Sequence, residues 1–238
     1  EFSFDPPRIE ETRIDEEDWA NTWKRYYKPI LVGERLLICP LWEEASREDL
    51  AGRELVKMDP GMAFGTGGHD TTRLCMELME REITPDSSVL DIGCGSGILS
   101  IAALKLGAKN AVCVDIDPVA TRVVFENAAH NGIANERLRV HCGNILNDTA
   151  LQNKVAGQYD CVAANIVADV ILALSEFVPG LVKSGGCFVC SGIVLERADE
   201  VERALVRAGF VDIARRVSEE TADAGALSTK WVAFCAKK

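Results

Sequence analysis

Long apolar runs are missing from this sequence. No stretch of its 238 residues approaches the roughly eighteen consecutive apolar positions that a membrane-spanning helix needs. A secretory leader is not expected either: residues 1–18 carry eight acids against Arg8 and Arg13, with no basic-then-apolar pattern. Internal repeats and low-complexity tracts are absent. Basic charge is in short supply, since 26 Lys and Arg face 37 Asp and Glu for a net charge of −11. An acidic surface repels phosphate backbones and attracts basic partners, so no direct nucleic-acid binding is expected. Histidine is scarce, with three in all. His130 and His141 fall at the ends of a predicted helix and strand, and only His69 lies in a segment that reads as a site loop. No spacing suggests a metal site or a covalent nucleophile, so no metal is expected.

Cysteine is present but lacks a framework. The nine stand at 39, 75, 94, 113, 142, 161, 187, 190 and 235, mostly inside apolar runs where Cys acts as a small buried hydrophobe. An odd count without framework spacing points to a reducing compartment, and a cytoplasmic location is the expectation. Cys187-Phe188-Val189-Cys190 has the CxxC spacing. No second ligand pair accompanies it, and the segment reads as a buried strand, which argues against a zinc or redox role.

Hydrophobic residues make up 47% of the chain, ample for a core. Trp19, Trp23, Tyr26 and Tyr27 recur at helical spacing, which predicts a helix over 16–27 with one aromatic face. Residues 28–39 alternate around Gly33-Glu34 and predict a β-hairpin, and a further strand is expected over 54–58. From residue 88 a regular rhythm begins. Strands are expected over 88–92, 111–115, 137–141, 159–165, 186–193, 210–217 and 230–235. Helices are expected over 98–106, 118–131, 168–178 and 198–208. Pro118 opens one helix and Gly132 follows its end. Continuous apolar strands alternating with helices mean a mostly parallel sheet covered on both faces. The last two strands have no helix between them and should pair antiparallel at an edge. The expected architecture is therefore α/β, a doubly wound seven-stranded sheet with an antiparallel edge strand. An acidic lead-in, helix and hairpin over 1–55 would precede the main domain over 56–238.

The strongest motif is Asp91-Ile92-Gly93-Cys94-Gly95-Ser96-Gly97, which leaves the first buried strand and opens a helix. Ligands of open α/β sheets sit at the carboxyl ends of the strands, where glycines let the backbone approach them. A dinucleotide fingerprint would place its third glycine at Ile98, whereas here the glycines fall at 93, 95 and 97. Asp91, just before the turn, is awkward for a pyrophosphate and suits an ammonium group. S-adenosyl-L-methionine carries an ammonium and a sulfonium. Asp115 ends the second strand and could accept both ribose hydroxyls; Asn144, after the third, could face the adenine edge. Gly61, Gly65, Gly67 and Gly68 mark a mobile flap over 61–68.

These motifs resemble the class I methyltransferases, whose fold is Rossmann-like. Within them the chain is similar to the ribosomal protein methyltransferases of the PrmA family, which modify amino groups of large-subunit ribosomal protein eleven. The resemblance rests on residues 59–72 (Asp-Pro-Gly-Met-Ala-Phe-Gly-Thr-Gly-Gly-His-Asp-Thr-Thr), on residues 91–99, on Val114–Pro118 and on Asn165-Ile166-Val167-Ala168. It also takes in Trp19, Trp23-Lys24 and Lys28-Pro29-Ile30. It implies cofactor contacts at Thr72, Gly93, Asp115 and Asn165, and a loop from Phe64 through Thr66 to His69 closing over the methionine end. The chain departs from the family pattern in carrying Gly68 and Asp70 where Thr and Pro are usual. The family also has an N-terminal recognition domain of ferredoxin-like type, little of which would fit before residue 14.

Methyl transfer needs an attacking nitrogen with a free lone pair. Asn165 is the candidate to orient it, through the side-chain carbonyl at the end of the fourth strand. Adenine-specific relatives carry a stacking aromatic just after this Asn, whereas here the run is Ile166-Val167-Ala168. An aliphatic amine on a basic ribosomal protein is the expected target. A small-molecule N-methyltransferase and a non-catalytic cofactor-binding module remain alternatives.

Overall fold

The structure, a computed structural model, describes residues 27–59, 67–219 and 229–238. The expected acidic lead-in and all but Tyr27 of the expected aromatic helix lie outside the described residues.

Three strands open the described chain: β1 (Ile30–Val32), β2 (Leu36–Pro40) and β3 (Glu54–Met58). β1 and β2 form the expected hairpin, with Leu31 opposite Leu37 and Gly33 in the left-handed region at the turn (φ 55°). β3 pairs parallel to β2, giving a separate three-stranded sheet. Helix α1 (Asp70–Glu82) follows. Its start is capped by His69, whose ring accepts from the Thr71 N–H, and Thr71, Leu74, Cys75, Leu78 and Met79 make its buried stripe.

The main domain then alternates strand and helix: β4 (Ser88–Ile92), α2 (Ile98–Lys105), β5 (Asn110–Asp115), α3 (Pro118–His130), β6 (Leu138–Cys142), α4 (Thr149–Val155), β7 (Tyr159–Asn165), α5 (Ala168–Phe177), β8 (Val182–Val194), α6 (Ala198–Arg207), β9 (Val211–Val217) and β10 (Trp231–Lys237). The seven strands β4 to β10 order as β6-β5-β4-β7-β8-β10-β9. The first five are mutually parallel. β9 is the edge strand and pairs antiparallel with its neighbour, as the sequence predicts. The strand that runs against the rest is β10, inserted between β8 and β9 and antiparallel to both.

The core lies on both faces of this sheet. Every residue of α2 from Ile98 to Leu104 is buried, because the helix is wedged between the main sheet, α1 and the small sheet. A helix apolar all round belongs in such a place. Val32, Leu36, Ile38, Val56 and Met58 join that same core, so the small sheet packs as part of the molecule's interior. On the other face Phe188, fully buried, meets Phe210 with ring centroids 5.9 Å apart. Truncating such a phenylalanine costs about 3–5 kcal/mol. All nine cysteines are free thiols, and Cys187 and Cys190 face opposite cores, so the CxxC spacing brings no pair together. Among the described residues no helix is long and apolar enough to cross a membrane.

Candidate active site

β4, β5 and β7 end level with one another: Ile92 lies opposite Val114 on one side and Ala164 on the other. The chain leaves β4 towards β5 on one side and reaches β7 later on the other, so this is the switch point where open α/β sheets bind ligands. A cleft of roughly 630 Å³ opens there. Its lining is mostly apolar, with Ile116, Ile145, Leu146, Val170 and Leu174 along one wall. Asp115, Asn144 and Asn165 supply polar groups, and His69, Trp231 and Gly192 close one end.

The glycine loop is built as its motif requires. Gly93, Gly95 and Gly97 all have positive φ (74°, 51° and 80°), which side chains resist. The N–H groups of Gly93 and Cys94 both donate to the Val114 carbonyl, at 2.8 and 3.2 Å. A Cβ on Gly93 would press within 3.1 Å of the Ile166 side chain, so the glycine also brings the loop after β7 close.

Asp115 is fastened to that loop. One carboxylate oxygen accepts from the Gly95 N–H at 2.8 Å, and the other from the Asp117 N–H at 2.9 Å. Each oxygen keeps a lone pair, enough for two neighbouring hydroxyls. Asn144, also on the lining, spends its carbonyl on the Leu146 N–H at 3.0 Å.

Asp91 lies one layer behind the wall. It is 1% exposed and points to the face covered by α2, where its Oδ2 accepts from both the N–H and hydroxyl of Ser100 at 3.2 and 2.9 Å. Its Oδ1 is buried without a partner. Burial raises the carboxyl to about 7, against the pull of the two Ser100 bonds. A buried acceptor left open beside a cleft invites a cation or a donor.

Asn165 and Thr72 meet across 93 residues of chain. The Asn165 side-chain NH2 donates to the Thr72 hydroxyl at 3.0 Å. Thr72 is fully buried in the first turn of α1 and does not line the cleft; it holds Asn165 in place. The bond commits an N–H of the amide, and Asn165 itself lines the cleft. His69 caps α1 and packs edge-on against Trp231 with centroids 5.1 Å apart. Phe64 and Thr66 lie outside the described residues.

Sequence reasoning missed much of the wall. Ile116 is 73% exposed between two aspartates, an apolar residue where a strand end should turn polar, and that was a legible signal. Gly192 interrupts β8, another legible mark. A Cβ there would stand 2.3 Å from the Ile166 carbonyl oxygen. Trp231 and Val170 carried no local signal.

Comparison with known proteins points to one family. The model of the ribosomal protein L11 methyltransferase family (PrmA) matches residues 1–224. A ribosomal protein L11 methyltransferase from an Exiguobacterium species is 45% identical over 225 residues, covering 94% of this chain and 66% of its own. One from Pelotomaculum thermopropionicum is 45% identical over 224 residues, covering 94% and 67%. The chain thus spans about two thirds of the length of these relatives. A crystal structure of a ribosomal protein L11 methylase from Lactobacillus delbrueckii subsp. bulgaricus matches with a TM-score of 0.73 at 31% identity, over 89% of this chain and 99% of that one. At 16% identity, a precorrin-6Y methyltransferase from Geobacter metallireducens shares the fold, with a TM-score of 0.53 over 68% of this chain and 87% of that one. By the extent of these matches the chain belongs to the ribosomal protein L11 methyltransferase family.

Proposed function

We propose that this chain transfers methyl groups from S-adenosyl-L-methionine to amino groups of a protein, lysine or N-terminal, and that the protein is one of the large ribosomal subunit. The observation that carries the reading is Asn165, which lines the cleft at the end of β7 and is fixed there by the hydrogen bond from its amide to Thr72.

The residues present fit the cofactor. The two anchored oxygens of Asp115 suit ribose hydroxyls. The slot between Ile116, Leu146 and Val170 suits a flat base, and the Asn144 NH2 suits its edge. The open Oδ1 of Asp91 suits an ammonium group, reached directly or through water. When bound, the cofactor supplies a methyl group on a positively charged sulfur.

The chain's own part is positioning. A lysine amine has an unperturbed pKa of about 10.4, so making it neutral at pH 7 costs roughly 4–5 kcal/mol. Apolar walls lower that cost by disfavouring the charged form. The Asn165 carbonyl accepts one N–H of the amine and aims its lone pair along the line of attack. Groups held in line gain several kcal/mol as effective concentration. Ile166, Val167 and Ala168 offer no ring to stack a nucleobase, which favours an aliphatic amine.

The test is transfer of labelled methyl from S-adenosyl-L-methionine to unmethylated large-subunit ribosomal proteins separated by gel. One labelled band among the small proteins is expected. No labelled band, from this chain and from one joined to the family's N-terminal recognition domain, with cofactor binding demonstrated by calorimetry, would refute the ribosomal target.

A further inference from the structure

α1 begins at the cleft and ends beneath the sheet, where Glu82, its last residue, meets Cys187 of β8 and Cys235 of β10. The carboxylate and the two thiol sulfurs all lie within 4.8 Å of one another. Cys235 Sγ stands 3.7 Å from Glu82 Oε1. Cys161 of β7 is level with Cys187 in the register. All three cysteines are buried, and Lys237 forms an ion pair with Glu82.

We propose that Glu82, Cys187 and Cys235 bind one thiophilic divalent cation of the zinc or cadmium type, at a structural site separate from the cofactor cleft. The donor set is what such an ion takes: two soft sulfurs and one carboxylate from three different elements, with the fourth position left to water or to Cys161. The charges balance. Each thiol gives its proton to solvent as its sulfur bonds the metal. Two thiolates and a carboxylate then bring −3, the ion +2 and Lys237 +1, a neutral cluster in a buried place. Uptake by two thiols therefore releases two protons per ion. The ion would pin the far end of α1 to the sheet, and α1 is the helix that presents Thr72 to Asn165.

The test titrates cadmium into the reduced, metal-free chain and follows the ultraviolet thiolate-to-cadmium charge-transfer band. Saturation at one equivalent is expected, with loss of the band in Cys187→Ala and Cys235→Ala and retention in Cys142→Ala, which removes the exposed thiol. Glu82→Gln keeps every thiol and is expected to weaken binding at least tenfold. It remains readable if the cysteine variants fail to fold, which circular dichroism reports. A band that fails to saturate at one equivalent, survives Cys235→Ala, disappears with Cys142→Ala or is indifferent to Glu82→Gln would overturn the proposal.

Discussion

At the scale of single residues, the proposed roles in the cleft divide binding from turnover. Asp115 makes two backbone bonds and keeps a lone pair on each carboxylate oxygen for the proposed ribose contact. Asp115→Ala should weaken cofactor affinity at least tenfold, because charge-assisted hydrogen bonds are the strong ones; unchanged affinity by calorimetry would contradict it. Asn165→Ala should leave that affinity within a few fold and cut turnover, and Thr72→Val should do the same more mildly by releasing the amide. Asp91 carries the pH dependence. Its folded pKa, about 7, lies above its ordinary value of 3.8, so the folded state holds its proton more tightly. This group's contribution to stability is therefore fully present below about pH 4 and is lost as pH rises through about 7, by about 4 kcal/mol at 1.36 kcal/mol per unit. Melting temperatures from pH 5 to 8 should fall in the native chain and stay flatter in Asp91→Asn. A cofactor ammonium favours the ionised carboxylate, so cofactor affinity should rise across the same window in the native chain and not in Asp91→Asn.

At the scale of elements, the parallel strands were legible and two helices were not. β4, β5 and β7 are continuous apolar runs closed by polar residues, a pattern that needs no knowledge of neighbours. α1 has a clear buried stripe, but its start adjoins the glycine-rich segment and its Thr71-Thr72 opening reads as loop chemistry. α4 spans seven residues with two buried side chains, Leu151 and Val155, too few for a period to emerge. The site follows the same rule. Gly93, Asp115 and Asn165 sit where a strand ends, a place sequence position makes legible, and they line the cleft; Asp91 sits one residue before its strand's end and is buried behind it. The Thr72–Asn165 bond, the Trp231 wall and the Glu82–Cys235 contact join distant segments, and only folding reveals them. Gly192 is the element-scale test. Its φ is +86° and its place against the Ile166 carbonyl leaves no room for a Cβ. Gly192→Ala should cost more than about 2 kcal/mol and depress turnover, since the turn after Asn165 must shift. Gly132→Ala, with similar φ but open space, should cost only about 1–2 kcal/mol and leave turnover alone. Equal losses in denaturant melts would show that the contact is not what matters.

At the scale of the whole molecule, the net charge of −11 becomes an argument about encounter. A basic protein substrate is drawn to an acidic surface through long-range fields, which salt screens. Raising ionic strength from about 0.1 to about 1 M shortens the screening length from about 10 to about 3 Å. KM for a basic ribosomal protein should rise several-fold over that range while kcat holds. A salt-independent KM would mean that recognition is not electrostatic.

The insertion of β10 between β8 and β9 sets an order in time. During synthesis β9 emerges first and finds the edge of the sheet with a gap in it, because β10, its one partner among the described residues, is still to be made. Not until residues 231–237 have left the ribosome can the gap close, and the same strand brings Trp231 to the end of the cleft. A growing chain therefore cannot hold a finished site, and competence to bind should appear in a single late step as that strand docks.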